Sequence, residues 1–330
     1  MVSASGTPDV VIIGDGLIGL STALQLGRAG VRTTVVGRRR DGIASTAAAG
    51  LLVPGIGDLP PAVKPFFMAS LAMYPAFVAG LQEFDPALRI IPGVLERSRT
   101  AGDRMHPADG AIDNVRLLAA VERALAIEHA ATVLRVEDDA LSIEAGPTSA
   151  IVSCASGRVV SGRRIVLAAG AWSPRLAGLP RPLSVRPLKG QMLALGACPL
   201  SHSIMGDDVY LVPRGSETLV GATVEDAGFD TRIDPSAIDA MHRAALELWP
   251  GLRGAPVTRT WAGIRPATPD MLPIIGPEPH ISTLTYACGH SKNGILLAPA
   301  TAAAVTDVVL DRAPGHDLAP FRVDRWTPMS

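Results

Sequence analysis

The stretch Val10-Val11-Ile12-Ile13-Gly14-Asp15-Gly16-Leu17-Ile18-Gly19 decides the fold of this chain of 330 residues. Residues 10–13 form a short apolar run, which is typical of a buried parallel strand. Residues 17–29 carry apolar side chains at helical spacing, and Gly30 is well placed to end that helix. Residues 31–36 are mostly β-branched and predict a second strand. Together they predict one complete strand–helix–strand unit.

The glycines of this stretch fit the pattern G-x-G-x-x-G, with a predicted strand before them and a predicted helix after them. Gly14 allows a tight turn, Gly16 allows a pyrophosphate to approach the backbone, and Gly19 allows close packing of helix on strand. The first N–H groups of the helix and its positive dipole end favour phosphate there. An ordinary turn is the alternative, but the complete context favours a bound dinucleotide.

The residue that should hold the ribose of that dinucleotide is missing. An acid is expected about 20 residues after the turn, where it binds a ribose 2′-hydroxyl. Gly37 stands at that position, and Arg38, Arg39 and Arg40 follow it. Taken alone, this favours NADP, because arginine would pair with its 2′-phosphate. Two other interpretations stay open: a solvated turn of charged residues, and FAD with its adenosine ribose held by backbone and Arg38.

The composition narrows the class of protein. A chain of 330 residues predicts about two domains, and 48% hydrophobic residues can form a sizeable core. A net charge of −1 points to neither nucleic acid nor a membrane surface as a partner. No apolar run approaches the ~18 residues of a membrane span, and no signal peptide is visible, so we expect a cytoplasmic protein. Cys154, Cys198 and Cys288 are unclustered, which argues against disulfides or a metal site.

Further elements are predicted along the chain from the same patterns. Helices are expected at residues 63–84, with a break near Pro75, and at residues 113–128 and 236–248. A long C-terminal helix should begin just before Pro299 or kink there. Strands are expected at residues 132–136, 164–167 and 284–287. Residues 41–62 are small enough for close approach to a ligand, and residues 87–110 read as irregular apart from a strand-like patch at 89–96.

Residues 183–261 have a different character. The segments 185–195, 209–213 and 218–223 alternate like strands of an antiparallel sheet. We therefore expect an α/β protein with a doubly wound, Rossmann-like dinucleotide-binding domain and a second, antiparallel α+β domain for the substrate. The expected division assigns residues 8–86, 111–182 and 262–330 to the first domain, and residues 87–110 and 183–261 to the second.

Longer motifs identify a family. The run Trp261-Ala262-Gly263-Ile264-Arg265-Pro266-Ala267-Thr268-Pro269-Asp270-Met271-Leu272-Pro273-Ile274-Ile275-Gly276 resembles the glycine oxidase branch of the D-amino-acid oxidase superfamily. The run Gly289-His290-Ser291-Lys292-Asn293-Gly294-Ile295-Leu296-Leu297-Ala298-Pro299 resembles it too. Shorter matches cover the rest of the chain in order: Ala44-Ser45 through Gly50-Leu51, Ala168-Ala169-Gly170-Ala171-Trp172-Ser173, Lys189-Gly190-Gln191, Tyr210-Leu211-Val212-Pro213-Arg214 and Gly221-Ala222-Thr223. These motifs are more specific than the glycine turn, and they imply non-covalent FAD rather than NADP.

The resemblance implies a role for each matching position. Contacts with FAD fall on Gly14, Asp15, Gly16, Leu17, Ile18, Gly19, Gly37, Arg38, Ser45, Thr46, Ala49, Gly50, Leu51, Val133, Ala169, Gly170 and Trp172. The family wraps the isoalloxazine ring with the residues that match His290, Ser291, Asn293, Gly294, Ile295 and Leu296. Arg265 falls on the arginine that binds the substrate carboxylate, and Tyr210 on a tyrosine that assists it. Lys292 falls where glycine oxidases usually carry a second arginine.

The chemistry of these residues agrees with the implied roles. A guanidinium grips a carboxylate with two parallel hydrogen bonds, which would fix the α-carbon over the flavin. Arg265 could instead form a surface ion pair, and Tyr210 could be a core residue. His290 resembles a catalytic base but is interpreted as a packing residue, because in this family a neutral amine loses its α-hydrogen as hydride to flavin N5. Asp270, beside Pro269, is expected to serve as a turn or cap residue.

The implied reaction is the oxidation of glycine or another small amine-bearing acid to an imine. Oxygen then reoxidises the flavin and gives hydrogen peroxide, and the imine hydrolyses to ammonia and an oxo acid. In this family the imine from glycine often supplies thiazole formation in thiamine biosynthesis. The start of the C-terminal helix is expected to face the flavin, where its positive dipole end would stabilise the reduced, anionic ring.

Three departures from the family pattern leave the substrate open. Lys292 lacks the planar fork of arginine, Ser291 stands where an aromatic residue is common, and Gly37 removes the ribose acid. An oxidase of D-amino acids or of secondary amines, such as sarcosine or cyclic imino acids, is the nearest alternative. An NADP-dependent reductase and a non-catalytic FAD-fold binding protein are the alternatives from other classes. We also expect a homo-oligomer.

Overall fold

The computed structural model describes residues 9–54 and 59–326 of the chain. These residues form six helices: α1 (Leu17–Arg28), α2 (Ala44–Ala47), α3 (Lys64–Ala79), α4 (Asn114–Glu128), α5 (Pro235–Leu248) and α6 (Gly294–Val309). They also form seventeen strands: β1 (Val10–Ile13), β2 (Thr33–Gly37), β3 (Leu51–Leu52), β4 (Ile90–Ser98), β5 (Gly102–Ile112), β6 (Val133–Glu137), β7 (Ala140–Ala145), β8 (Ala150–Cys154), β9 (Val159–Gly162), β10 (Arg164–Leu167), β11 (Arg186–Leu195), β12 (Ser203–Met205), β13 (Tyr210–Arg214), β14 (Glu217–Gly221), β15 (Val257–Ala267), β16 (Ile274–Glu278) and β17 (Ile281–Cys288). None of the helices described is long and apolar enough to cross a membrane.

A six-stranded sheet contains the predicted strand–helix–strand unit. Its order is β16-β17-β10-β1-β2-β6, and all neighbours are parallel except β16 and β17. The register places Ile13 beside both Leu167 and Val36, so these strands end together at one edge. The loops after β1, β2, β10 and β17 therefore meet at this edge, where open α/β sheets bind their ligands.

The two faces of this sheet are covered differently. Helices α1, α3, α4 and α6 pack on the face that carries Val10, Ile12 and Val35. The antiparallel sheet β7-β8-β9 packs on the opposite face, against Val11 and Ile13. The predicted α/β class is confirmed, although this small sheet has no counterpart among the predicted elements.

The second large sheet has eight strands in the order β15-β11-β14-β13-β12-β4-β5-β3. Neighbours are antiparallel except β12 and β4, which run parallel. Helix α5 packs on this sheet through Ile238, Met241 and Ala245. Strand β15 runs across the expected domain boundary at residue 262, and β3 lies in this sheet although the expected division placed it with the first domain. That division stays a prediction.

The sequence pattern predicted that residues 87–110 are largely irregular, and this prediction is wrong. These residues form most of the β4–β5 hairpin. The pattern is weak because most side chains along this hairpin are exposed or half-buried, so no apolar face marks the strands. A register shift between Pro92 and Val94 interrupts the alternation further. The hairpin therefore depends on cross-strand pairing that a local sequence pattern does not report.

Helix α4 begins as predicted after Asp113, whose carboxylate accepts hydrogen bonds from the N–H groups of Val115 and Arg116 at 3.1 and 3.0 Å. The predicted break near Pro75 is wrong, because α3 continues through this residue and ends at Ala79. A proline leaves the carbonyl group four residues before it without a backbone donor. Because Pro75 is exposed, solvent can reach this side of the helix and bind that carbonyl group.

Pro299 lies in the second turn of α6, which begins earlier than predicted, at Gly294. A proline has no N–H to donate to the carbonyl four residues before it, which here is that of Ile295. The Tyr74 hydroxyl, on α3, donates to this carbonyl instead. The Ser70 hydroxyl, one turn earlier on α3, donates to the Leu296 carbonyl at 2.7 Å. Helix α3 therefore supplies the donors that let α6 continue through its proline.

Candidate functional site

A cavity of about 840 Å³ opens at the edge where β1, β2, β10 and β17 end. The glycine turn after β1 and the loops after β10 and β17 form one side of it. Side chains of β11, β13 and β15, from the eight-stranded sheet, form the other side. A concave site between a nucleotide-binding sheet and a second sheet is a common place for a cofactor and its substrate to meet.

The glycine turn has no room for side chains at its first and third glycines. A Cβ at Gly14, whose φ is +116°, would overlap the carbonyl of Ala168. A Cβ at Gly19 would overlap the carbonyl of Gly14, so Gly19 serves the packing of α1 rather than the cavity wall. The Leu17 N–H donates to Ser45 Oγ at 2.9 Å, which ties α2 to the start of α1.

Each arginine after β2 faces an acidic side chain. Arg39 pairs with Glu122 at 2.6 Å, and Arg40 pairs with Asp139 at 2.6 Å. The Arg38 guanidinium lies 3.8 Å from the same Asp139. Because Glu122 and Asp139 hold Arg39 and Arg40, and Arg38 lies near the same Asp139, the three arginines do not form a free cluster for a 2′-phosphate. This geometry disfavours the NADP interpretation.

Arg265 reaches the cavity from β15, and the backbone holds its side chain in place. Its Nη1 donates to the carbonyl oxygen of Lys189 at 3.2 Å and to that of Thr223 at 3.0 Å. A Cβ at Gly190 would overlap the guanidinium, so this glycine makes room for it. The two carbonyls fix one nitrogen of the planar fork, and its other N–H groups can bind a ligand in the cavity.

Tyr210 lines the same cavity at the start of β13. Its partner across the β13–β14 pair is Gly221, where a Cβ would overlap the tyrosine ring. Burial raises the pKa of Tyr210, and the nearby Arg265 guanidinium only partly opposes this effect. The hydroxyl therefore stays protonated at neutral pH and can donate a hydrogen bond.

The loop after β17 completes the wall with three residues in different environments. His290 is buried, with Nε2 3.1 Å from Thr301 Oγ1, and burial lowers its pKa to about 3. Ser291 is buried with φ +49°, and its N–H donates to the Pro266 carbonyl at 2.9 Å. Lys292 is exposed at the cavity. A neutral His290 fits the predicted packing role, and Lys292 is free to reach a ligand.

Asp270 also lines the cavity, but its carboxylate is engaged in the protein. Its Oδ1 accepts the Leu272 N–H at 3.1 Å, and Arg325 pairs with it at 2.8 Å. Burial alone would raise the pKa of Asp270, but the hydrogen bonds from Arg325 and Leu272 lower it overall. Asp270 therefore serves as a turn residue, as predicted, and also forms an ion pair that was not predicted.

Most predicted site residues line the cavity: Gly14, Asp15, Gly16, Leu17, Ile18, Gly37, Arg38, Ser45, Ala49, Gly50, Leu51, Ala169, Gly170, Trp172, Tyr210, Arg265, His290, Ser291, Lys292, Asn293, Gly294, Ile295 and Leu296. Gly19, Thr46 and Val133 do not line it. Val133 is buried where it pairs with Thr33 in the sheet. Val136, further along β6, instead lines a second cavity of about 380 Å³.

Several residues that line the cavity were not predicted from the sequence. Leu188, Gly190 and Met192 line the wall from β11. Their period of two is the signal that could have found them, because alternate residues of a strand share a face. Arg175 also lines the cavity and lies 3.9 Å from the ring centroid of Phe229, but no motif marks it. No cluster of three or more His, Cys, Asp or Glu suited to a metal ion occurs in residues 9–54 and 59–326.

Comparison with known proteins supports FAD as the cofactor. The sequence family described as "DAO: FAD dependent oxidoreductase" matches residues 9–89 and 78–308. The glycine oxidase of Bacillus licheniformis is 31% identical over 351 residues, which cover 92% of this chain and 93% of the relative. The crystal structure of glycine oxidase from Geobacillus kaustophilus superposes with a TM-score of 0.90 at 27% identity, and the match covers 97% of this chain and 99% of that one.

A second kind of relative is longer than this chain. The bifunctional protein ThiO/ThiG of Trichormus variabilis is 30% identical over 373 residues, which cover 97% of this chain. The chain spans only 55% of the length of that relative, about half of it. The similarity therefore concerns one part of the bifunctional protein.

Proposed function

This chain belongs to the FAD-dependent oxidoreductase family, and from that premise we propose that it oxidises glycine or another small amino acid to an imine. The position of Arg265 carries the proposal. Its anchored guanidinium lines the same cavity as the glycine turn and the loop after β17. A substrate carboxylate bound to Arg265 would therefore lie close to a cofactor held by those two loops.

The cavity fits FAD by the chemistry of its walls. The start of α1 offers backbone N–H groups to a pyrophosphate, and Gly16 lines the cavity there without a side chain that would keep a ligand from the backbone. The loop from His290 to Leu296 would hold the isoalloxazine ring from the far side. When bound, FAD accepts the α-hydrogen of the amine as hydride and passes the electrons to O2, which becomes hydrogen peroxide.

The residues of the second sheet would orient the substrate. The Arg265 fork can bind the carboxylate with two parallel hydrogen bonds, and the protonated Tyr210 hydroxyl can donate a third. Lys292 can add positive charge from the exposed side. Because these contacts fix the α-carbon relative to the cofactor, they supply the orientation that hydride transfer requires.

Two further features suit this reaction. His290 is a poor candidate for a general base, because burial lowers its pKa to about 3, which makes it a weak proton acceptor, and its Nε2 lies 3.1 Å from Thr301 Oγ1. The α-hydrogen leaves as hydride, so no side chain has to remove it as a proton. Helix α6 begins at Gly294 in the cavity wall, and its positive dipole end would stabilise negative charge that develops nearby.

A peroxide assay with a panel of amines tests the proposal. Purified protein should absorb at about 450 nm when flavin is bound, and it should form hydrogen peroxide from at least one of glycine, sarcosine, D-alanine and D-proline. Turnover of none of the four by flavin-loaded protein would contradict the proposed reaction and favour a binding role.

A D-amino acid or secondary amine is the second candidate substrate, and Lys292 is the observation that favours it. An ammonium is a flexible point charge, which holds a carboxylate less rigidly than a guanidinium does. The order of kcat/KM over the same four amines separates glycine from these candidates. Supply of the imine to thiazole formation, assembly as a homo-oligomer and a cytoplasmic location are further parts of the proposal.

A further inference from the structure

The acid that is missing at the end of β2 has a spatial substitute. A Cβ at Gly37 would lie 2.7 Å from the Asp15 nitrogen, 2.8 Å from its Cβ and 2.9 Å from its Cγ. The backbone nitrogen and the side chain of Asp15 therefore fill the space that a side chain at position 37 would need. The Asp15 carboxylate lies where the structure leaves no room for an acid at the end of β2.

The Asp15 carboxylate lies near two arginines without a close bond to either. Arg39 Nε is 3.5 Å away and Arg135 Nη2 is 3.8 Å away, whereas both arginines bind Glu122 at 2.6 and 2.9 Å. No group in the described part of the chain donates a hydrogen bond to this carboxylate, and its side chain is only 13% exposed. Its charge is balanced while its oxygen atoms stay available, which suits a site for hydroxyl donors.

The position of Asp15 agrees with a ribose site. Asp15 and Gly37 line both the large cavity and the smaller one, so they lie where the two cavities meet. A dinucleotide with its pyrophosphate on the start of α1 places its adenosine ribose at the end of β2. We propose that Asp15 binds the hydroxyl groups of the adenosine ribose of FAD. It would replace the acidic residue that is missing at position 37.

This assignment also accounts for the choice of nucleotide. A carboxylate accepts hydrogen bonds from 2′- and 3′-hydroxyls but repels a 2′-phosphate, so Asp15 selects against NADP despite the arginines that follow Gly37. The inference concerns binding of FAD alone. It does not depend on which amine is oxidised, and it is tested without turnover.

The test compares the affinity of the FAD-free protein for nucleotides that differ in one hydroxyl. Dissociation constants of FAD, ADP and 2′-deoxy-ADP are measured by calorimetry for the wild type and for Asp15→Asn, which keeps the shape of the side chain. We expect Asp15→Asn to weaken FAD binding by about tenfold, as for loss of a hydrogen bond to a charged group. The wild type should prefer ADP to 2′-deoxy-ADP, and the variant should lose most of that preference.

One control variant separates this role from a general effect of charge in the cluster. Glu122→Gln changes an acid of the same charged cluster that lines neither cavity, and it should leave the preference for ADP unchanged. An unchanged affinity of Asp15→Asn for FAD, or an unchanged preference of this variant for ADP, would overturn the proposal.

Discussion

At the scale of single residues, the charged groups of the site depend on backbone carbonyls and glycines for their positions. Arg265 is held by the carbonyls of Lys189 and Thr223, and Gly190 leaves the space that its guanidinium occupies. Gly221 does the same for the ring of Tyr210. The site is therefore built before a substrate arrives, which lowers the entropy lost on binding.

The first residue-scale prediction concerns the fork of Arg265. Arg265→Lys keeps the positive charge but loses the second parallel hydrogen bond, so kcat/KM for the best amine should fall by about tenfold or more, mainly through KM. Arg259→Lys is the matched control, because Arg259 lies on the same strand and outside the cavity wall. This substitution should leave kcat and KM unchanged. Equal effects of the two substitutions would argue against a carboxylate site at Arg265.

The second residue-scale prediction concerns pH and His290, whose pKa falls from 6.5 to about 3 in the folded protein. Between these pH values the unfolded chain binds more protons, so the free energy of unfolding should decrease as pH falls, by up to about 1.4 kcal/mol per pH unit. His290→Gln should remove this contribution. Urea unfolding from pH 7 to pH 5 measures it, and identical pH dependence in the two proteins would refute the assignment.

At the scale of elements, α3 determines how α6 begins. The hydroxyls of Ser70 and Tyr74 lie one turn apart on one face of α3, and they reach the first-turn carbonyls of α6. The same turn of α6 lines the cavity at Gly294. A proline that looked like a helix boundary in the sequence is therefore tolerated because a neighbouring helix supplies the missing donor.

A double-mutant cycle tests this link between the helices. Tyr74→Phe leaves the buried Ile295 carbonyl without a donor and should cost about 1–3 kcal/mol of unfolding free energy. In the Pro299→Ala background the backbone N–H returns, so the same substitution should cost much less. Urea unfolding of the four proteins gives the coupling energy, and strictly additive costs would contradict the role given to Tyr74.

At the scale of the whole molecule, local patterns predicted the elements whose residues are adjacent in sequence. The unit from β1 to β2 and the capped start of α4 follow from spacing and capping chemistry, and the family motifs indicated Arg265, Tyr210 and the loop after β17. The parallel pairing of β12 with β4 depends on a distant contact, which no local pattern reports. The small sheet β7-β8-β9 is different, because it consists of two hairpins of consecutive strands, and the turns at residues 146–149 and 155–158 were a local signal that the prediction missed. The contact between Asp15 and Gly37 exists only in the folded sheet. In the sequence, Gly37 therefore looked like the loss of the ribose-binding acid and nothing more.

The central claim is that the cavity holds an amino acid by its carboxylate next to bound FAD. The most direct measurement mixes the flavin-loaded protein with glycine, sarcosine, D-alanine or D-proline in the absence of oxygen and follows the flavin absorbance at about 450 nm. We predict loss of that absorbance with at least one of these amino acids, and no comparable loss with methylamine, which lacks a carboxylate. Unchanged absorbance with all four, or equal loss with methylamine, would contradict the account.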